Sequence, residues 1–303
     1  MTEIVKNGTP HDTKGDVFTS YNVDDFDVPG GRDEIWRFIS LRALRGLHNG
    51  KFPEQAAPDI EVTVADGQQG VEVGTLAKDD ERALRAGAPA DRVAAQAWTS
   101  MDELTYVNVA RDTEVASPVH IDVTGHGADK TAFGGILVEL GAHAKATVVL
   151  RYQGSATYAD NVQYVLGDGA KLTVVTDADW EDDTVHLSNH QALIGRDADL
   201  HHSVATFGGQ VVRVVPRVRF GGQGGNVEML GVYFADDGQY FENRLLVDHS
   251  EPNCTSNVLY KGALQGDKET KTEARTCWVG DVLIRAKASN TDTYEANRNL
   301  VLS

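Results

Sequence analysis

The side chains able to do chemistry gather in a few stretches of this sequence. Asp248-His249-Ser250-Glu251-Pro252-Asn253-Cys254-Thr255-Ser256 is followed by Tyr260-Lys261-Gly262, then by Asp292, Asn297 and Arg298. Carboxylate, imidazole, thiol, phenol and ammonium groups are the types that acid–base and nucleophilic catalysis need. His186 and His190 stand four apart, and His201 and His202 are adjacent. A spacing of four brings two imidazoles together only on a helix, whereas Thr184–His190 reads as strand and turn. These four histidines therefore read first as surface or stacked polar side chains of a solenoid. A metal site assembled from separate segments is the alternative. Cys254 and Cys277 lie 23 apart with no Cys-x-x-Cys pair, so no zinc ribbon or cluster-binding motif is present, and both read as buried or partly buried thiols. Asp177, Asp179, Glu181, Asp182 and Asp183 surround Trp180 and read as a solvated loop, with a cation or partner site as the sharper reading. Gly221-Gly222-Gln223-Gly224-Gly225 lacks both the Lys-Ser/Thr of a P-loop and a following helical run. No serine nucleophile elbow occurs. The residues form no recognisable catalytic constellation.

The elements that would have to position them fall into two parts. Residues 1–31 are polar and aperiodic and are expected to form a flexible arm. Within 32–101, Ile35, Phe38, Ile39, Leu44 and Leu47 have helical spacing and predict an amphipathic helix from Asp33 to Leu47. Alternating Ile60, Val62, Val64, Val71 and Val73 around Asp66-Gly67 predict a hairpin. Lys78–Ser100, broken by Pro89, predicts two short helices. Together these make a small α/β unit.

From 102 to 303 helical spacing disappears and a register recurs. It starts at Ala116, Ala144, Ala170, Ala198 and Gly225, in steps of 28, 26, 28 and 27. Two residues on stand Pro118, Ala146, Leu172, Leu200 and Val227; four on stand His120, Val148, Val174, His202 and Met229. Gly141, Gly167, Gly195 and Gly222 stand three residues before the small position and read as turn glycines. Continuing the step puts Cys254 at an interior apolar position. A mainly β fold follows: a right-handed parallel β-helix of about 27 residues per coil, since no coil could bury its apolar face alone.

Composition bounds the partners. A net charge of −17, from 28 basic and 45 acidic residues, argues against nucleic acid and anionic membranes. No run of about 18 apolar residues could span a bilayer. The absence of a signal-like apolar core at the start, with only two cysteines, predicts a cytoplasmic protein. A β-helix enzyme acting on acidic polysaccharide and a stand-alone metal-binding solenoid are the competing readings, and the charge opposes the first.

The Asp248–Ser256, Leu259–Gly262 and Thr291–Leu300 stretches resemble the SufBD family of iron–sulfur cluster assembly proteins, and its SufD branch in particular. Trp36-Arg37-Phe38, Phe207-Gly208-Gly209 and Gly231–Asp236 add to the resemblance. It implies a non-catalytic scaffold that pairs with SufB and docks the SufC ATPase. By that reading no cofactor is bound by this chain alone, and iron or an iron–sulfur cluster passes transiently through the full complex. Asp248, His249, Pro252, Cys254, Ser256, Tyr260, Lys261, Gly262, Asp292, Asn297 and Arg298 are its signature residues, and Tyr260, Lys261, Asp292 and Arg298 are expected at coil edges and subunit contacts. Three departures are visible. Ile39-Ser40 stands where the family has Thr-Pro, Lys268–Ala274 reads as an extra polar loop, and family members continue past Ser303. The chain is thus expected to be truncated, without the family's functional histidine and SufC-docking region, and to self-associate through an open coil end.

Overall fold

Val, Ile and Thr at alternate positions favour extended chain, and successive coils bury one another's apolar faces. In a computed structural model, which describes residues 17–266 and 273–302, this produces a parallel β-solenoid of about 6 turns of about 28 residues. Its N-terminal region contributes β1 (Gln55–Ala56), β2 (Asp59–Thr63), β3 (Val71–Ala77), α1 (Arg92–Ser100) and β4 (Glu103–Val109). The coils follow as β5 (Val119–Leu140), β6 (Lys145–Leu166), β7 (Lys171–Trp180), β8 (Val185–Ile194), β9 (Asp199–Thr206) and β10 (Val211–Phe220). They continue as β11 (Asn226–Ala235), β12 (Tyr240–His249), β13 (Thr255–Gln265), β14 (Arg275–Ile284) and β15 (Asp292–Leu302). Strand β6 bends between two faces: β7, β9, β11, β13 and β15 stack from its first half, and β8, β10, β12 and β14 from its second.

The ladder Val148↔Val174↔His202↔Met229↔Val258 advances by 26, 28, 27 and 29 residues. Four of the five starts read from the sequence share this register; Ala116 does not. The first step is 29, so Val119 lies opposite Val148, and His120 falls on the other face of β5. Cys254 is also displaced from its expected place. Because Asn226 pairs with Thr255, it occupies the small-residue column with Gly225, where it is still fully buried. The column just before the small residues is left-handed in every coil: His143, Gly169, Asp197, Gly224, Asn253 and Asn290 have φ of 61, 67, 53, 76, 59 and 56°. Gly141 and its counterparts are not left-handed. A Cβ at Gly141 or Gly222 would run into the backbone of Arg111 or Arg196 in the preceding turn, so close approach explains them.

The N-terminal region departs from the sequence reading. Asp33–Leu47 is a series of turns with one 3-10 turn at Leu41–Leu44, not a helix. Arg45 and Gly46 turn left-handed there, with φ of 49 and 92°, which breaks a helix. Its apolar residues Trp36, Ile39, Leu44 and Leu47 instead pack with Val93 and Ala97 onto Ala159, Val185, Leu187 and Val211, on the outer face of β6, β8 and β10. The expected hairpin does not form. β2 pairs antiparallel with β5 and β3 with β4, because covering the first coil buries Ile60, Val62 and Val71 better than a local turn would. Of the two expected helices only α1 forms, capped by the Asp91 carboxylate, which accepts from the Ala94 amide at 2.9 Å. The arm is not free over its whole length. Val23 and Phe26 are buried, and the Arg92 guanidinium donates to both of their carbonyls at 2.9 and 2.6 Å. Residues 1–16 of that arm, and 267–272 of the polar loop, lie outside the described residues. The loop's coil is visibly longer, with Thr255 pairing to Asp292 across 37 residues.

Arg213 joins the two regions. Buried under α1, it pairs with Asp91 at 2.8 Å and Glu242 at 3.2 Å and lies over the Trp36 ring at 4.4 Å.

Candidate functional site

Side chains at alternate positions of β6, β7, β8 and β9 point into the lumen, and the apolar rule is broken there by a polar cluster. Tyr152 donates its hydroxyl to the Asp160 carboxylate at 2.7 Å, and His186 Nε2 meets the other carboxylate oxygen at 3.3 Å. Trp180 Nε1 donates to His186 Nδ1 at 3.1 Å, which leaves Nε2 to carry the hydrogen facing Asp160. Asp160 is fully enclosed. Burial alone would push its carboxyl up; the electrostatic pull and hydrogen bond of His186, with Ser188 and His190, outweigh that and hold it below its ordinary value. Burial, then the Asp160 charge, pushes the Tyr152 and Tyr158 phenols far up. The cluster therefore keeps one buried negative charge behind two protonated phenols.

One coil further, His190 Nδ1 lies 2.9 Å from His202 Nε2, with the rings at right angles. Burial first, then His202, lowers His190 to about 3, and burial lowers His202 to about 4. Of the four candidate histidines, then, His190 and His202 touch each other. His186 belongs to the Asp160 cluster, and His201 faces outward and meets Glu228 at 2.9 Å. Among the described residues no three His, Cys, Asp or Glu side chains converge as a metal would require.

The C-terminal signature builds packing. On β11 and β13, Gly231 pairs with Tyr260 and Tyr233 with Gly262, so each ring fills the space left by the opposing glycine. Tyr260, expected at a coil edge, is fully buried. Asn297 donates to the Tyr233 hydroxyl at 3.1 Å, and that hydroxyl donates to Asn299 Oδ1 at 2.6 Å. His249 Nε2 meets Ser256 Oγ at 2.8 Å in the lumen, beneath the Phe220 ring. Asp248 holds Arg285 on the outer face, accepting from its Nε at 2.9 and 3.3 Å and from its Nη2 at 2.9 Å. Pro252 accepts from the Gly224 amide at 3.2 Å in the turn between coils. The Cys254 thiol lies 3.6 Å from Gly222 O and 3.5 Å from Pro252 O, and burial pushes its pKa up, as it does for the half-buried Cys277. Neither thiol has the electropositive, accessible surroundings of a reactive cysteine. Lys261 and Arg298 share one register position on the outer face, and Asp292 starts β15 beside Thr255.

The repeat register puts His202 among the interior positions; Trp180, which the sequence reads within a solvated loop, is buried at the end of β7, and the sequence reading singles out neither Tyr152 nor Asp160. The available signal was a lone Asp160 on β6 at even spacing from Tyr158, Val162 and Tyr164, with His186 on β8 28 residues after Tyr158 and beside it.

Residues 123–303 match the family model described as SUF system FeS cluster assembly, SufBD core domain. An iron-sulfur cluster assembly SufBD family protein of Mycobacterium bovis is 54% identical over 96% of this chain and 72% of its own length. One of Mycobacterium leprae is 51% identical over 100% of this chain and 77% of its own length. A second SufBD family protein of Mycobacterium leprae is 22% identical over 47% of this chain and 18% of its own length.

Proposed function

The chain belongs to the SufBD family of iron–sulfur cluster assembly proteins, and from this premise we propose that it is a non-catalytic scaffold of the SufD type, which pairs with a SufB-type protein and docks the SufC ATPase. The observation that carries the reading is the outer face of β7, β9, β11, β13 and β15, left uncovered among the described residues. There Val175 and Val232 are 38 and 46% exposed, and the register row Asp177, Ala205, Val232, Lys261, Arg298 runs from acid to base. A broad, rigid sheet with exposed apolar residues between opposite charges suits a protein partner better than a small substrate. The two SufBD proteins of Mycobacterium leprae support pairing with a paralogue. Iron and sulfide are cargo in this reading, and the buried Cys254 and half-buried Cys277 thiols, both with raised pKa, fit a supporting part better than the holding of a cluster. Co-purification with SufB and SufC, for this chain and for a form of its relatives' full length, tests the assignment. The full-length form is expected to retain both partners, and its failure to retain either overturns the reading.

A further inference from the structure

The outer positions of β10 carry Arg213, Arg217 and Arg219, and β12 adds Arg244, a concentration of guanidinium in a chain of net charge −17. In register, Arg213 lies beside Glu242, Arg217 beside Leu246 and Arg219 beside Asp248, so Arg244 stands on the same face two residues before Leu246. Arg213 pairs with Asp91 and Glu242, and Arg244 Nε donates to Glu242 at 3.2 Å. Arg219 reaches Arg85 O at 3.5 Å. Arg217 is the exception. Among the described residues its partly buried guanidinium makes no hydrogen bond or ion pair. Gln191, beside it on β8, donates to Ala88 O at 2.9 Å and leaves its own Oε1 buried without a partner, so this neighbouring acceptor does not serve Arg217. Burial, aided by the Arg213 and Arg244 charges, holds the Arg217 pKa below its ordinary value despite the pull of Asp91 and Asp281. A guanidinium keeps its charge and has five N–H groups to place. Drawn out of water with none of them bonded to protein, this one lacks an acceptor.

We propose that Arg217 and Arg244 hold a small phosphate-class oxyanion over Leu246, beside the segment 85–91. The guanidinium fork presents two parallel N–H groups to such an anion. A carboxylate spends both oxygens on one fork, whereas a tetrahedral phosphate has oxygens left for a second arginine on the next strand. Arg244 can be that second arginine, because among the described residues only its Nε is engaged. Asp281, which pairs in register with Leu246 on the side away from Arg217, and Glu242 oppose the anion and moderate its affinity. The site lies on the face of β10, β12 and β14, apart from the face proposed above for a protein partner, and the loss of either leaves the other intact.

Calorimetric titration of the 303-residue chain with inorganic phosphate at fixed ionic strength tests this, with acetate as the carboxylate and chloride as the background salt. Saturable phosphate binding, about fivefold or more tighter than acetate, is expected. Arg217→Met and Arg244→Met should each weaken it about tenfold or more, and Asp281→Asn should tighten it severalfold. Urea midpoints separate a binding role from a structural one. In phosphate-free buffer Arg217→Met should be no less stable than the native chain, because it removes a charge that has no acceptor, and phosphate should raise the native midpoint more than that of the variant. Glycerol 3-phosphate separates the sources. Tighter binding of the ester than of free phosphate points to an organic phosphate, and the reverse points to the free ion; either outcome supports the oxyanion chemistry. Acetate binding as tight as phosphate, no saturable binding, undiminished phosphate affinity in Arg217→Met, or a loss of stability in Arg217→Met as large as that in Arg213→Met overturns it.

Discussion

Gly262 and Tyr233 occupy one register position on neighbouring strands, and a methyl group on the glycine would overlap the ring. Gly262→Ala should therefore cost about 1–3 kcal/mol through overpacking, while Lys261→Ala on the outer face should stay within about 0.5 kcal/mol. Denaturant midpoints of the two variants check this directly. His190 and His202 give a pH dependence. Their folded pKa values of about 3 and about 4 lie below the unfolded value near 6.5, so the unfolded chain binds the extra protons. Stability from this source is complete above pH about 6.5 and falls as the pH drops toward about 4, by up to about 1.4 kcal/mol per pH unit for each imidazole. That window opens well above the range in which carboxylates protonate. Urea midpoints at stepwise lower pH should decline in the native chain and decline less in His190→Val/His202→Met. Equal slopes would show that the pair does not control acid stability.

At the scale of elements, the clamp on Arg213 decides how α1 and the turns around Trp36 stay on the solenoid. Arg213→Met leaves Asp91 buried without its guanidinium and Glu242 with Arg244 alone, and should destabilise by about 3–5 kcal/mol. Adding Asp91→Asn and Glu242→Gln should recover part of that loss in the same denaturation measurement. The coils were legible in the sequence because interior residues such as Val148, Val174, Leu172 and Leu200 keep a step close to constant. The Ala116 start and the placement of Cys254 slipped because two steps are 29 rather than 27. The N-terminal region was not legible by the same means. Ile39, Leu44 and Leu47 have helical spacing, yet their partners are Ala159, Leu187 and Val211, more than a hundred residues away, and that burial overrides local preference. The Asp160 cluster escaped for a related reason. Asp160 and His186 are 26 residues apart and meet only once the second strand of each coil is in register.

For the molecule as a whole, β14 and β15 lie at the two ends of the strand order, and among the described residues neither has a further neighbour. Ile284, Tyr294, Leu300 and Val301 are 50, 53, 59 and 74% exposed there. Unpaired backbone beside exposed apolar side chains recruits further strands, so this polypeptide should form concentration-dependent oligomers in sedimentation, reduced by Val301→Lys. A single species at every concentration would exclude this route. The stacking of coils also makes the molecule a mechanical object. A load applied to its two ends along the stacking direction falls in line with the hydrogen bonds between coils, so they break as cooperative rungs. A coil of 26–29 residues, drawn out at about 3.3–3.6 Å per residue, lengthens the tether by about 90–100 Å. A force trace should therefore rise and fall in teeth of that spacing. The coil closed by Thr255 and Asp292, at 37 residues, should yield one longer tooth that marks the end from which the stack began to open.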